Sequence, residues 1–206
     1  MKHRLRMSLM AAAACVCAIQ GVSLAAADDA PIGVAHEAAE WQEHRYSFAF
    51  LGFTSTYSCD GLADKLKILL LAAGARPDVK SQPGACASTF GRPDKFARAD
   101  LTFYTLAPTD SAAAGGSAVA AGAAPVDVAW HEVAFASHKP RELATGDCEL
   151  VEQFKSNVLP LFTTRNIEEH TTCIPYQDSG SVIDLKFETL SAAHKAAVQP
   201  GAAAGR

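Results

Sequence analysis

Two cysteines are the strongest candidates for reactive side chains in this chain, because each lies close to the start of a predicted helix. The partial positive charge at a helix N-terminus lowers the pKa of a thiol, so Cys59 or Cys148 could serve as a redox nucleophile. Each is followed by a second cysteine at a similar distance, Cys86 and Cys173 respectively. One structural disulfide in each pair explains the same pattern, and we favour it over redox chemistry.

A possible metal-binding pattern lies near the N-terminus. His36, Glu40 and His44 are four residues apart, so a helix would place them on one face. The pattern does not match H-E-x-x-H, and it lies in a terminal segment. We therefore interpret the segment as a solvent-exposed helix or arm and predict no metal site there.

The remaining acid–base candidates are histidines and two matching carboxylates. Asp100 and Asp184 occupy equivalent positions on two predicted strands, and paired carboxylates can perform acid–base chemistry, although a solvated strand face explains them more simply. A hydrolase would need the fold to join histidines to a carboxylate. The chain has no Walker A, G-x-S-x-G or C-x-x-C motif, so we predict no catalytic, cofactor-binding or metal-binding residues. The histidines considered are His131, His138, His170 and His194.

The matching positions belong to a stretch that occurs twice. The first copy starts at Cys59 and ends with ADLTFYTL, Ala99–Leu106, whereas the second starts at Cys148 and ends with IDLKFETL, Ile183–Leu190. Similarity at this scale indicates a duplicated supersecondary unit. Four cysteines remain when Cys15 and Cys17 leave with the signal peptide that is predicted below. These four allow three disulfide pairings, and the duplication favours one bond within each copy.

Both copies are predicted to run strand, helix, short extended segment, strand. In the first copy Ser58 is a candidate N-cap, and Gly74 is a candidate C-terminal stop. In the second copy Asp147 is the candidate N-cap. The pattern predicts an α+β fold in which two β-α-β-β repeats form a two-layer sandwich, with an antiparallel sheet and both helices on one face. Two separate small lobes are the alternative.

The N-terminal segment of the chain indicates export. A basic start, a short apolar run and Ala-x-Ala predict a signal peptide cleaved after Ala27 and a periplasmic or secreted protein; a lipoprotein at Cys15 is the less favoured alternative. No other apolar run is long enough to span a membrane. The predicted segments are a signal peptide 1–27, a flexible arm 28–45, a first repeat 46–106, an Ala/Gly/Ser linker 107–125, a second repeat 126–190 and a disordered tail 191–206.

The net charge of the chain disfavours some classes of binding partner. The formal net charge is −4, and it falls to −7 when Lys2, Arg4 and Arg6 leave with the signal peptide. An acidic chain without a basic cluster is a poor candidate for binding nucleic acid or an anionic membrane surface.

The stretch TYSCDGLADKLKILLLAAGARPDVK, residues 56–80, resembles a segment of exported bacterial proteins of unknown function. This resemblance implies no activity. The predicted export, the duplication and the lack of a catalytic motif lead us to expect a non-enzymatic binding or structural module of the cell envelope, with an envelope protein or peptide as its partner. The alternatives are a thiol-redox protein and a hydrolase whose residues are scattered in sequence.

Overall fold

Within the described residues, six strands and two helices follow one another in the order β-α-β-β-β-α-β-β. The structure is a computed structural model that describes residues 37–85, 92–109, 125–177 and 179–193. Short 3₁₀ turns precede and follow the second helix. The elements are β1 Glu37–Leu51, α1 Cys59–Ala72, β2 Lys80–Pro83, β3 Phe96–Pro108, β4 Val126–Ala136, α2 Cys148–Asn157, β5 Thr164–Glu169 and β6 Asp184–Ala192.

All six strands form one antiparallel sheet in the order β2-β3-β1-β4-β6-β5. The two central strands meet over three residue pairs, centred on Ala38 and Asp127. On each side of this centre, one strand-helix-strand-strand half supplies three neighbouring strands. The predicted α+β fold is therefore confirmed, whereas descent of the two halves from one duplicated unit stays a prediction.

Local sequence explains where α1 begins and ends. The Ser58 hydroxyl accepts a hydrogen bond from the backbone N–H of Gly61, so it caps the helix as predicted. Gly74 follows the helix with φ of +95°, a conformation that favours glycine over residues with a Cβ. Asp147 occupies the N-cap position of α2, but its carboxylate makes no capping bond to that helix.

The larger of two hydrophobic clusters among the described residues joins both halves. The inward positions of the strands alternate with exposed ones, as in β3, and they pack against the buried faces of α1 and α2. Because these side chains form a single cluster, the two halves share one core rather than forming separate lobes. Its largest fully buried side chains are Phe48, Phe50, Phe103, Phe135, Phe154 and Phe187.

The first strand is much longer than predicted. Residues 37–45, expected in a flexible arm, form the first part of β1, which pairs with β3 from Ala39 to Leu51. The arm prediction is wrong over these residues because tertiary partners on both sides override a sequence with little intrinsic strand preference. Strands β3 and β6 likewise extend into the predicted linker and tail. The predicted signal peptide, residues 110–124 of the linker and residues 194–206 of the tail lie outside the described residues.

Candidate functional site

The cysteines of the second half are joined. Cys148 and Cys173 form a disulfide with their Cα atoms 5.6 Å apart. Cys59 is also disulfide-bonded, and its predicted partner Cys86 lies outside the described residues. Cys148 is 3% exposed and Cys59 is 5% exposed. Attack on a disulfide needs an accessible sulfur, so this burial favours structural bonds over redox chemistry at these two sulfurs.

The metal pattern near the N-terminus does not assemble. Glu40 and His44 lie on a strand rather than a helix, which separates their Cα atoms by about 13 Å along β1. His44 Nε2 lies 2.8 Å from Thr105 Oγ1, and its ring packs against Phe103. Burial lowers the pKa of His44. This histidine is therefore part of the packed strand surface, while His36 lies outside the described residues.

The other acid–base candidates are dispersed. His131 and His138 are exposed on and just after β4. His170 Nδ1 lies 3.5 Å from an Asp184 carboxylate oxygen, but both side chains are open to solvent, at 74% and 37% exposure. Asp100 is on β3, which two central strands separate from the β6 strand of Asp184. Within the described parts of the chain, no group of three potential ligands is placed to hold a metal ion. His194 lies outside those parts.

A buried carboxylate that sequence reasoning missed holds the loop after β1. Glu149, on the first turn of α2, is 7% exposed, and it accepts hydrogen bonds of 3.1–3.2 Å from the backbone N–H groups of Phe53, Thr54 and Ser55. A Cβ added to Gly52 would lie 2.2 Å from the Ser55 carbonyl oxygen, so this tight turn requires glycine. The Glu149 carboxylate and the tight turn at Gly52 together fix the backbone conformation of residues 53–55.

A second buried carboxylate connects the two helices. Asp147 is 4% exposed and accepts hydrogen bonds of 2.6 Å from the Tyr57 hydroxyl, the Lys65 ammonium and the Ala144 backbone N–H. Burial, reinforced by the adjacent carboxylate, raises the pKa of Tyr57. Each donor is satisfied within the fold, which makes this network a structural link between the halves.

Four large apolar side chains are exposed at the end of the sheet where β1 stops; we call them the apolar rim. They are Leu51, Phe53, Phe96 and Tyr176, with 47%, 52%, 63% and 73% of their surfaces exposed. Leu51 and Phe96 face each other across the β1–β3 ladder, and the rings of Phe53 and Tyr176 lie 6.2 Å apart nearly edge to face. Exposed aromatic residues grouped in this way are typical of interaction surfaces.

Polar contacts keep the apolar rim in place. Thr54 Oγ1 accepts a 2.7 Å hydrogen bond from the Tyr176 backbone N–H and donates to the Ile174 carbonyl at 3.3 Å. The Gln153 side chain bonds both the N–H and the carbonyl of Leu51. Tyr176 has φ of +64°, an uncommon backbone conformation for a non-glycine residue. These contacts fix the backbone at Tyr176 and Leu51, the two residues from which exposed side chains of the rim project.

The helix-free face of the sheet carries two similar aromatic–cation pairs. The Arg76 guanidinium lies 5.7 Å from the Trp41 ring centroid, and that of Arg165 lies 4.1 Å from Trp130. The same number of residues separates the two tryptophans, the two arginines, and Cys59 from Cys148. This regularity supports the duplication hypothesis. The Arg76 guanidinium lies closer to the Tyr104 ring, 3.6 Å from its centroid, than to Trp41. Because Trp41, Tyr104 and Trp130 are all partly buried, this face offers less open aromatic surface than the apolar rim.

An open pocket of about 300 Å³ lies beside the irregularity in β5. Its carboxylates come from Glu132, Glu168 and Glu188. Glu188 is already bonded by Arg165 and Asn166. Glu132 and Glu168 are exposed to solvent. Among the described residues no buried side-chain polar atom lacks a hydrogen-bond partner, so the pocket holds no buried unpaired group that would indicate a ligand.

Comparison with other proteins does not assign a family: no family model, curated protein or solved structure matches the chain. Among the described residues, no helix has both the length and the apolar character needed to cross a membrane. The function must therefore be argued from the chain's own surface.

Neither loop of the apolar rim was predicted as a site. The segments FTSTYS, residues 53–58, and IPYQDSGS, residues 174–181, contain turn-forming residues, a composition that favours loops. The aromatic residues of the two loops, Phe53, Tyr57 and Tyr176, were an available signal, since a large aromatic side chain outside a predicted element is either buried or functional. Sequence does not distinguish these two outcomes.

Proposed function

We propose that this protein is an exported, disulfide-stapled, non-enzymatic binding module of the cell envelope, and that the apolar rim is its contact surface. The observation that carries the proposal is the fixed exposure of four large apolar side chains. Water penalises such exposure, and soluble monomers rarely retain large apolar patches without a partner. The Glu149 carboxylate and the Thr54 hydroxyl hold the underlying loops, so these residues cannot readily turn inward.

Other features support export and a non-enzymatic role. The predicted signal peptide directs the chain out of the cytoplasm, and the Cys148–Cys173 bond fits an oxidising compartment. The described histidines His131, His138 and His170 are dispersed and make no nucleophile–base pair in the described part of the chain. The redox alternative is less well supported because the sulfurs of Cys59 and Cys148 are buried.

The proposal is tested by co-sedimentation of the mature protein with bacterial envelope fragments. The variant Phe53→Ser/Tyr176→Ser removes the paired rings of the rim. The control variant Leu71→Ser/Ile167→Ser removes two other exposed apolar side chains, at 40% and 48% exposure, from α1 and β5. We expect envelope binding by the wild type and the control, and at least a tenfold loss in the rim variant, since burying one large apolar side chain changes affinity by about that factor.

Equal binding by the rim variant and the control would contradict this proposal. Circular dichroism and thermal unfolding establish that both variants are folded. Surface substitutions of this kind usually change stability by no more than about 0.5 kcal/mol, so loss of fold is not the expected cause of lost binding.

A further inference from the structure

We infer that the partner of the apolar rim is an extended peptide segment of an envelope protein, which pairs as an added strand with an unpaired part of β1 next to the rim. This inference rests on the proposed function and names the partner of the same surface. It starts from the pairing of β1 with β4, which ends at Ala39 although β1 continues to Leu51. Within the described residues, β1 beyond Ala39 pairs with a strand only on the side of β3. We call residues 41–49 the open edge.

Hydrogen bonds at the two ends of β1 show which backbone groups face the open side. The Ala38 carbonyl accepts a hydrogen bond from the residue that follows β3, and the Gly52 N–H donates to the residue that precedes it. Even-numbered residues of β1 therefore direct their backbone groups toward β3, and odd-numbered residues direct theirs away. Leu51 agrees, since it bonds the Gln153 side chain of α2. Among the described residues, no hydrogen bond engages the outward groups at odd positions of the open edge.

The Gln153 side chain already uses this side of β1 as a paired strand would. Its amide accepts a 3.1 Å hydrogen bond from the Leu51 N–H and donates a 2.8 Å bond to the Leu51 carbonyl. An extended peptide presents the same donor and acceptor at every second residue, which is the spacing of the outward groups on β1. The chemistry of the open edge therefore favours an extended polypeptide backbone.

The other strand edges are protected against such pairing, as is usual in natural sheets. Strand β2 has four residues and ends in Pro83. Strand β5 is irregular, and its Asn166 has φ of +52°. The inward edge of β4 is shortened because the Ala136 N–H bonds the Lys139 carbonyl. The open edge of β1 has no proline and no irregularity in its register with β3, so it is the most suitable template for an added strand.

The side chains along the open edge leave room for those of a partner. Ser47 and Ala49 are small and exposed, on the same face of β1 as Leu51 of the rim. Arg45 bonds Glu43 at 2.8 Å, so these two charges compensate each other. Every second side chain of an added strand would lie over this surface and beside the rim, where apolar groups are favoured. We therefore expect a segment with apolar residues at alternate positions.

A second copy of this chain fits the open edge less well. The edge lies between α2, which reaches Leu51 through Gln153, and the start of β4, which pairs with Ala39. A folded copy would bring its own α2 and β4 to the same place. A single added strand needs only the normal spacing between neighbouring strands, about 5 Å.

The first test is residue-resolved amide hydrogen exchange of the mature protein, alone and bound to the bacterial envelope fragments of the binding assay. Free edge N–H groups exchange rapidly, and pairing with a strand gives each of them an acceptor. We expect binding to slow exchange at Arg45, Ser47 and Ala49 by about tenfold or more. Their even-numbered neighbours already bond β3, so their exchange should change much less. Digesting the fragments with proteinase K beforehand should abolish binding.

The second test is co-sedimentation of a proline variant with the same fragments. Ala49→Pro removes one outward N–H and leaves the bonds between β1 and β3 in place. It should bind about fivefold or more weakly than Ala49→Thr, the matched control that keeps the N–H. Circular dichroism checks the fold of both variants. The exchange measurement on the wild type needs no substitution, so it decides the matter if the proline variant is unfolded.

Slow exchange at Arg45, Ser47 and Ala49 before fragments are added would overturn the inference, because the edge would already be occupied. Binding that leaves their exchange unchanged, or that survives digestion of the fragments, would also overturn it. So would equal binding by Ala49→Thr and a folded Ala49→Pro. If such binding still requires the rings of Phe53 and Tyr176, the proposed function of the rim stands and only the strand-pairing inference fails. If no fragments bind, both fail.

Discussion

The Glu149 carboxylate offers the sharpest test of how the fold supports its surface. It is the shared acceptor for the backbone N–H groups of Phe53, Thr54 and Ser55, across about a hundred residues of sequence. The substitution Glu149→Ala leaves all three donors without this acceptor. Each hydrogen bond to a charged group is worth about 1.5–3 kcal/mol when no replacement exists.

The expected loss is smaller than the sum of three such bonds. The loop lies at the surface, so water can reach the freed N–H groups, and about 1 kcal/mol per donor is a reasonable net value. We therefore expect Glu149→Ala to lower the free energy of unfolding by about 3 kcal/mol, which corresponds to a fall in Tm of roughly 6–12 °C for a domain of this size. Glu149→Gln retains one acceptor oxygen and should lose about half as much.

The assay is equilibrium unfolding in urea, with Glu152→Gln as the matched control. Glu152 lies one turn further along α2, where burial and then neighbouring carboxylates raise the pKa of its side chain. Removing that charge should leave stability unchanged or slightly increased near neutral pH. A Glu149→Ala protein as stable as the control would refute the reasoning. So would amide protection of Phe53, Thr54 and Ser55 that is unchanged by the substitution.

Three further predictions concern the Cys148–Cys173 disulfide, the Asp147–Lys65 ion pair and the Glu152 side chain. Cys148→Ser/Cys173→Ser should lower the free energy of unfolding by about 3 kcal/mol, because the bond closes a loop with a sequence separation of 25; denaturant titration of this variant against the disulfide-bonded wild type, without reductant, measures the loss. A double-mutant cycle of Asp147→Asn and Lys65→Met should give a coupling energy of about 1–3 kcal/mol, and additive losses would exclude a direct interaction. Because the folded state raises the pKa of Glu152, this group makes stability fall as pH rises from about 4 through its folded pKa. Glu152→Gln should therefore gain stability near pH 7 and lose that advantage at pH 4; an advantage that does not change with pH contradicts this cause.

The elements that carry strong local signals were predictable. Apolar residues at helical spacing, the Ser58 cap and Gly74 defined α1, and the alternating residues of Ala97–Leu106 defined most of β3. The first nine residues of β1 were not predictable, because EAAEWQEHR has the composition of a solvated arm. This segment becomes a strand because it pairs with β3 and β4. The strand preference of its own residues contains no information about these distant partners.

The candidate surface depends still more on long-range contacts. Asp147 was expected to cap α2, whereas its carboxylate bonds Tyr57 and Lys65 from the other half of the chain. Glu149 had no signal in the sequence, because its partners are backbone N–H groups of a distant loop. The apolar rim exists because this loop is fixed beside Tyr176, and sequence alone does not show that those aromatics remain outside the core.

The most direct test of the proposed binding function is site-specific photo-cross-linking in cells that express the chain with its predicted signal peptide. One photo-reactive residue replaces Tyr176, and a second version replaces Leu71, which is also apolar and exposed but lies on α1. The account predicts envelope adducts from position 176 and few or none from position 71. Equal labelling from both positions, or no adducts from position 176, would contradict the claim that the apolar rim is the surface through which this protein binds.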